Sequence, residues 1–161
     1  MKEIPLSKGY VALVDDEDYD RLTAMGRWYF GGDGYAIRSV NYKKPNGRWS
    51  SKTIRMHRII MNTPDGMDTD HKDTDRLNNQ KSNLRICTRS QNKMNTNLRA
   101  GSTSGYKGVT WSKSRRKWGS VINLKGKTVW VGFFSDKLEA AKAYNAAALE
   151  HYGEFARLND V

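Results

Sequence analysis

Hydrophobic positions along the chain fall in short clusters separated by turn residues. Residues 10–14 read as a short strand, and Leu22 lies at helical spacing within residues 19–25. Asp15, Asp16, Glu17 and Asp18 precede that helix, where acids favour the positive end of its dipole; this accounts for them more simply than a carboxylate metal cluster. Gly26 stops the helix. Strands are expected at residues 28–30, 35–37 and 52–61, with turns at 31–34 and 45–47; the aromatic residues here read as core. A polar, turn-rich stretch follows. Thr88 and Gln91 then have capping-box spacing, which predicts a helix from about Arg89. Residues 100–104 (AGSTS) read as a linker. Beyond it, strands are expected at 106–110, 118–124 and 128–134, with a tight turn at 125–127. An alanine-rich helix over 136–152 carries Leu138, Ala141, Tyr144 and Ala148 at helical spacing, and Gly153 ends it. The pattern is α+β, with a C-terminal three-stranded antiparallel sheet packed on one helix.

Composition narrows the partner. The 161 residues allow one ordinary domain or two small ones. Net charge is +11 and the pI is about 9.8, which points to a polyanion: nucleic acid first, an anionic membrane surface second. From Arg76 to Ser135 there are 13 Lys or Arg and no Asp or Glu, so the charge is a field rather than a scatter. No apolar run is long enough to span a bilayer, and the N-terminus lacks the apolar core of a signal peptide. The single cysteine, Cys87, excludes an internal disulfide and a cysteine-rich zinc site. The chain reads as cytoplasmic (in a bacterial host, if phage-encoded).

The chemistry centres on Asp70-His71, followed by Ser82-Asn83-Leu84-Arg85 and Gln91-Asn92. Asp68, Asp70, Asp73 and Asp75 do not make a calcium loop, because the glycine and glutamate at its sixth and twelfth places are missing. A zinc finger lacks its cysteines, and no nucleophile elbow supports a serine hydrolase.

Residues 4–97 resemble the HNH endonucleases of the phage and intron-encoded homing type. The resemblance rests on residues 56–61 (MHRIIM), Asp70-His71, Asp73, Leu77-Asn78-Asn79, Ser82-Asn83-Leu84-Arg85 and Gln91-Asn92, with Val14-Asp15-Asp16 and Gly34-Tyr35-Ala36 upstream. It implies a ββα-metal module, preceded by a small β-rich region. His71 would be the general base on the first strand. Asp70 and Asn92 would be metal ligands on strand and helix, and Asn83 a structural residue orienting the hairpin. Asn92 stands where many relatives have histidine, which argues for an oxygen-ligated hard cation: one Mg²⁺, with Mn²⁺ able to substitute. A neutral imidazole takes the proton of the attacking water, and the cation stabilises charge on the phosphate and leaving oxygen. His57 reads as structural or phosphate-contacting, and Arg85 and Arg89 as phosphate grips or ordinary exposed charges.

Residues 104–160 resemble the AP2 DNA-binding domain. The matches are residues 104–109 (SGYKGV), Lys117-Trp118, residues 129–134 (VWVGFF), Glu139-Ala140-Ala141, residues 143–148 (AYNAAA) and Leu158-Asn159. In that family the sheet enters the major groove. Lys107 and Trp130 match DNA-contacting positions, with Arg116, Lys125 and Lys127 on or near the same sheet; Trp111 and Trp118 pack on the helix or touch sugars. Thr110, Ser112 and Asn123 stand where the plant pattern has arginines, so DNA binding carries over but target sequence does not.

The resulting expectation is an HNH nuclease domain at 1–99 and an AP2-like domain at 104–161, nicking or cleaving duplex DNA. It would act as a monomer or weak dimer with no obligate protein partner. The competing readings are a non-catalytic DNA-binding regulator and, more weakly, an RNA-binding protein.

Overall fold

A computed structural model describes residues 1–98 and 100–161. It is a mixed α+β structure of small antiparallel sheets and, among the described residues, four α-helices. Two compact units, Met1–Arg89 and Ser90–Val161, divide the chain.

In the first unit, β1 (Lys2–Pro5) pairs antiparallel with β2 (Val11–Val14). Helix α1 (Asp16–Ala24) follows, with Asp16, Glu17 and Asp18 in its first turn. Its fully buried Leu22 sits beside Trp28, whose indole Nε1 donates to the Leu22 carbonyl at 2.9 Å. Strands β3 (Tyr29–Phe30), β4 (Ala36–Lys43) and β5 (Trp49–Arg55) form an antiparallel sheet with β4 central. The strand expected over 52–61 stops at Arg55, and residues 56–60 form helix α2 (Met56–Ile60) instead. Met56 and Ile60, four positions apart, both bury in the core from one helical face; a short apolar run does not by itself separate that pattern from a strand. The core gathers Ile4, Val14, Leu22, Trp28, Met56, Ile60 and Leu84. Strands β6 (Asp68–His71) and β7 (Leu84–Cys87) pair antiparallel across an intervening loop.

The second unit takes most of helix α3 (Arg89–Met94), which starts where the capping-box spacing puts it. Met94 packs against the cluster of Ile122, Tyr144 and Tyr152. The Lys107 ammonium donates to the carbonyls of Met94 and Thr96 at 2.5 and 2.7 Å. Strands β8 (Val109–Ser112), β9 (Lys117–Leu124) and β10 (Lys127–Phe134) make a second antiparallel sheet with β9 central. β8 begins later than expected because the buried Ser104 hydroxyl bonds the backbone of Tyr106 and Val109, holding that stretch as a tight loop. Helix α4 (Lys137–Tyr152) starts at Asp136, whose carboxylate accepts from the amides of Leu138 and Glu139. It lays Ala140 and Ala141 on Val109, and Tyr144, Ala147 and Ala148 on Ile122. No helix among the described residues is long and apolar enough to cross a membrane.

Candidate functional site

The loop between β6 and β7 is held from both sides. The Leu13 amide donates to the Leu77 carbonyl and the Asn79 amide to the Leu13 carbonyl, each at 2.8 Å, tying residues 77–79 to β2. The Asp15 carboxylate accepts the Lys81 amide at 2.8 Å, while Lys81 reaches Glu17 and Asp18. Asp15, Glu17 and Asp18 therefore anchor this loop as well as lying at the helix start. Within it, the Asn83 amide nitrogen donates to Asp73 Oδ1 and the Asn78 carbonyl at 2.9 and 2.8 Å. Its oxygen accepts the Asp73 amide at 3.1 Å. Asn83 thus clamps the loop from the foot of β7.

His71, the last residue of β6, is buried. Its Nε2 lies 3.2 Å from Asn79 Oδ1. Asn79 is itself 1% exposed, and its amide nitrogen donates to the Leu77 carbonyl at 3.1 Å. That bond fixes which end of the carboxamide faces the imidazole, so Nε2 of His71 is the donor and the lone pair of the neutral ring sits on Nδ1. Burial holds the His71 pKa below the usual histidine value, against the Asn79 bond and the charges of Asp73, Asp70 and Asp75, which favour protonation.

Two aromatic rings complete this cluster. His57 on α2 meets His71 edge-on at 5.1 Å between centroids, and Tyr35 lies 4.9 Å from His57 and 5.9 Å from His71. Burial first, then the charges of His71 and Arg55, push His57 down to about 3. Its Nδ1 is buried without a hydrogen-bond partner among the described residues. His57 therefore packs edge-on against His71, and burial disfavours its charged form.

Asp70 is the cross-strand partner of Arg85. Arg85 Nε and a terminal nitrogen donate to Asp70 Oδ2 at 2.9 and 2.7 Å, and both side chains are almost fully buried. Arg85 is thus engaged inside the fold. Asn92 lies half-buried on α3, and Arg89 is the exposed first residue of that helix. No cluster of three His, Cys, Asp or Glu that could hold a metal occurs among the described residues. Asp70 and Asn92 lie in different units; a carboxylate and a carboxamide are hard oxygen donors, the chemistry of a hydrated hard cation rather than of a closed zinc site.

The sequence-predicted DNA contacts of the second unit take different positions. Arg116 and Lys125 occupy exposed turns with positive φ, 50° and 51°, and Lys127 opens β10. Trp130 is 49% exposed and stacks on Phe133 at 4.7 Å, over Gly119, where a side chain would collide with it. Trp111 is partly exposed and meets Trp118 edge-on at 5.1 Å, while Trp118 packs toward α4. Lys107 differs from these: its ammonium holds the carbonyls of Met94, the last residue of α3, and of Thr96 just beyond it. Burial and the neighbouring Arg157 bring its pKa down to about 8.

Comparison with known proteins shows the family. Residues 62–94 match the family model for HNH endonucleases. Over 160 residues the chain is 30% identical to a protein of Acanthamoeba polyphaga mimivirus named as an HNH endonuclease, covering 96% of this chain and 77% of that one. It is 36% identical over 95 residues to Protein 3.8 of Escherichia phage T7, covering 58% of this chain and 77% of that protein. A stretch of 57 residues is 39% identical to an AP2-like ethylene-responsive transcription factor of Arabidopsis thaliana, covering 35% of this chain and 13% of the plant protein. Carrying the HNH segment within a likeness that spans 96% of its length to a protein named as an HNH endonuclease, the chain belongs to the HNH endonuclease family and is a DNA endonuclease.

Proposed function

We propose that the protein hydrolyses phosphodiester bonds of duplex DNA with His71 as general base. The observation that carries this reading is the buried His71–Asn79 pair: burial disfavours the charged ring, and Asn79 directs the lone pair of the neutral ring to Nδ1. Nδ1 takes the proton of a water as the water's oxygen attacks phosphorus, and the bond to the 3′-oxygen breaks. Asn83 keeps the loop in place through Asp73 and Asn78. Asp70 and Asn92 are the residues that would hold the divalent ion which HNH nucleases generally use; Mg²⁺ suits their hard oxygen donors, and Mn²⁺ should substitute. When bound, such an ion stabilises charge on the phosphate and the leaving oxygen.

The second unit supplies targeting in this reading. Its three-stranded sheet with one packed helix, the partial likeness to an AP2-like plant factor and the acid-free basic stretch support an AP2-type docking surface. Arg116, Lys125, Lys127 and Trp130 are its proposed DNA contacts. Lys107 contributes by holding the loop and α3 together, and Arg89 lies at an exposed helix start where it can meet phosphate. Arg85 would act on DNA only on leaving Asp70. One such site per chain makes a nick by a monomer the simplest product.

Conversion of supercoiled plasmid to open circle tests this. Cutting should require Mg²⁺ or Mn²⁺, stop in EDTA, and fall in Asp70→Asn and Asn92→Ala while duplex binding in EDTA persists. Undiminished nicking in EDTA would remove the metal from the reading.

A further inference from the structure

We propose that Arg55 and Arg76 form a phosphate-binding pair that receives the backbone of the DNA strand brought to His71. The inference rests on the nuclease reading above. Tyr35, whose ring lies 5.9 Å from His71, is also the floor for both arginines: the Arg55 and Arg76 guanidinium carbons lie 5.2 and 4.9 Å from its centroid. Asp33 braces them. Its carboxylate accepts from Arg55 at 2.8 Å, and its backbone carbonyl accepts from Arg76 at 2.5 Å. These hydrogen bonds use one terminal nitrogen of each guanidinium. A guanidinium stacked on a ring keeps its remaining in-plane N–H groups for a planar or tetrahedral oxyanion, the geometry that suits arginine to phosphate.

The charge balance favours a ligand over a structural staple. The Asp33 carboxylate pairs with Arg55, whose side chain remains 47% exposed, whereas Arg76 meets only the Asp33 backbone carbonyl, which carries no net charge to balance it. The pair also lies in an acid-free stretch of the chain. Between Asp33 and Asp65 there are seven Lys or Arg and no acid. On the β4–β5 ladder one face carries Ser39, Asn41, Lys43, Trp49, Ser51, Thr53 and Arg55, all exposed, while the opposite face is largely half-buried. That exposed face is polar apart from Trp49, with Lys43 near the hairpin tip and Arg55 at the end next to Tyr35. The other arginines near His71 are engaged elsewhere: Arg58 donates to the carbonyls of Met67, Thr63 and Pro64, and Arg85 to Asp70.

The test measures binding of the full chain to a short labelled duplex in EDTA, where nothing is cut, across a potassium chloride series. Removing one phosphate contact should make the slope of log affinity against log salt shallower by roughly 0.9. Arg55→Met and Arg76→Met should each show this loss, and the lysine variants should restore most of it. Asp33→Asn keeps both arginines and removes the anion that pairs with Arg55, so it should tighten binding by about two- to fivefold. A wild-type slope in both methionine variants overturns the proposal, and so does unchanged or weaker binding by Asp33→Asn. His71→Ala should retain the wild-type slope while losing cutting. If it still cuts, the general-base reading fails and the slope result stands independently.

Discussion

Asn79 and His71 form a one-way pair. The Asn79 amide nitrogen is already given to the Leu77 carbonyl, so only its oxygen faces Nε2 of His71, 3.2 Å away. The backbone of Asn79 is in turn bonded to Leu13 of β2. The protonation pattern of the candidate base is therefore set by a strand far from it in sequence.

Asn79→Ala should lower the single-turnover cutting rate roughly 10–100-fold, the usual cost of losing an outer partner of a catalytic or metal-bound imidazole. DNA affinity should be unchanged. Asn79→Asp keeps an acceptor toward Nε2 and should lose less than the alanine variant. Wild-type cutting by Asn79→Ala would dissociate the tautomer from the mechanism.

Arg85 balances a buried carboxylate. In Arg85→Met the buried Asp70 carboxylate loses the arginine that bonds its Oδ2, and breaking a buried pair in this way costs about 3–5 kcal/mol. Urea unfolding should show a loss of that order. A change below about 1 kcal/mol, the range of exposed pairs, would mean that water reaches Asp70 freely.

The pH dependence of stability should carry the mark of His57. Its folded pKa lies near 3, below the ordinary 6.5 of an unfolded chain. Between those values the unfolded state binds more protons, so stability falls as pH drops from about 6.5 toward 3 and is fully present above about 6.5. In wild type the slope from this residue approaches 1.4 kcal/mol per pH unit. His57→Phe should flatten the acid limb, and the His57 ring resonances should not titrate above pH 5. A midpoint near 6.5 would contradict its burial.

Gly108→Ala tests the packing of the second unit. Gly108 has φ of +73°, and a Cβ there would run into the Tyr144 ring and the Val121 carbonyl. Overpacking and backbone strain together should cost at least about 2–4 kcal/mol. Thermal unfolding that matches wild type would show that α4 does not press on this loop.

The parts of the site legible in the sequence are those that one hairpin brings together. Asp70, His71 and Asn83 lie on β6, on β7 or beside them, so spacing along the chain reports their proximity. Asn79 was visible in the same motif, but its role depends on a hydrogen bond to the Leu77 carbonyl that no spacing encodes. Tyr35 and Arg55 come from β4–β5 and its entry loop, and the aromatic pattern there marks core and cation platform alike. The end of β5 was missed because Met56 and Ile60 satisfy a strand-like apolar run and a helical face at once. The start of α3 was legible from local capping chemistry. Its attachment to Lys107 and Met94's neighbours is tertiary, and residues 100–104 gave no sign of it.

The most direct measurement is the single-turnover rate of duplex cutting by His71→Ala against wild type, with Mg²⁺ present and DNA binding measured in parallel. Removing the general base should slow cutting by roughly 10²–10⁴-fold while binding stays within experimental error of wild type. Equal cutting rates in the two proteins would contradict the assignment of His71 as the base.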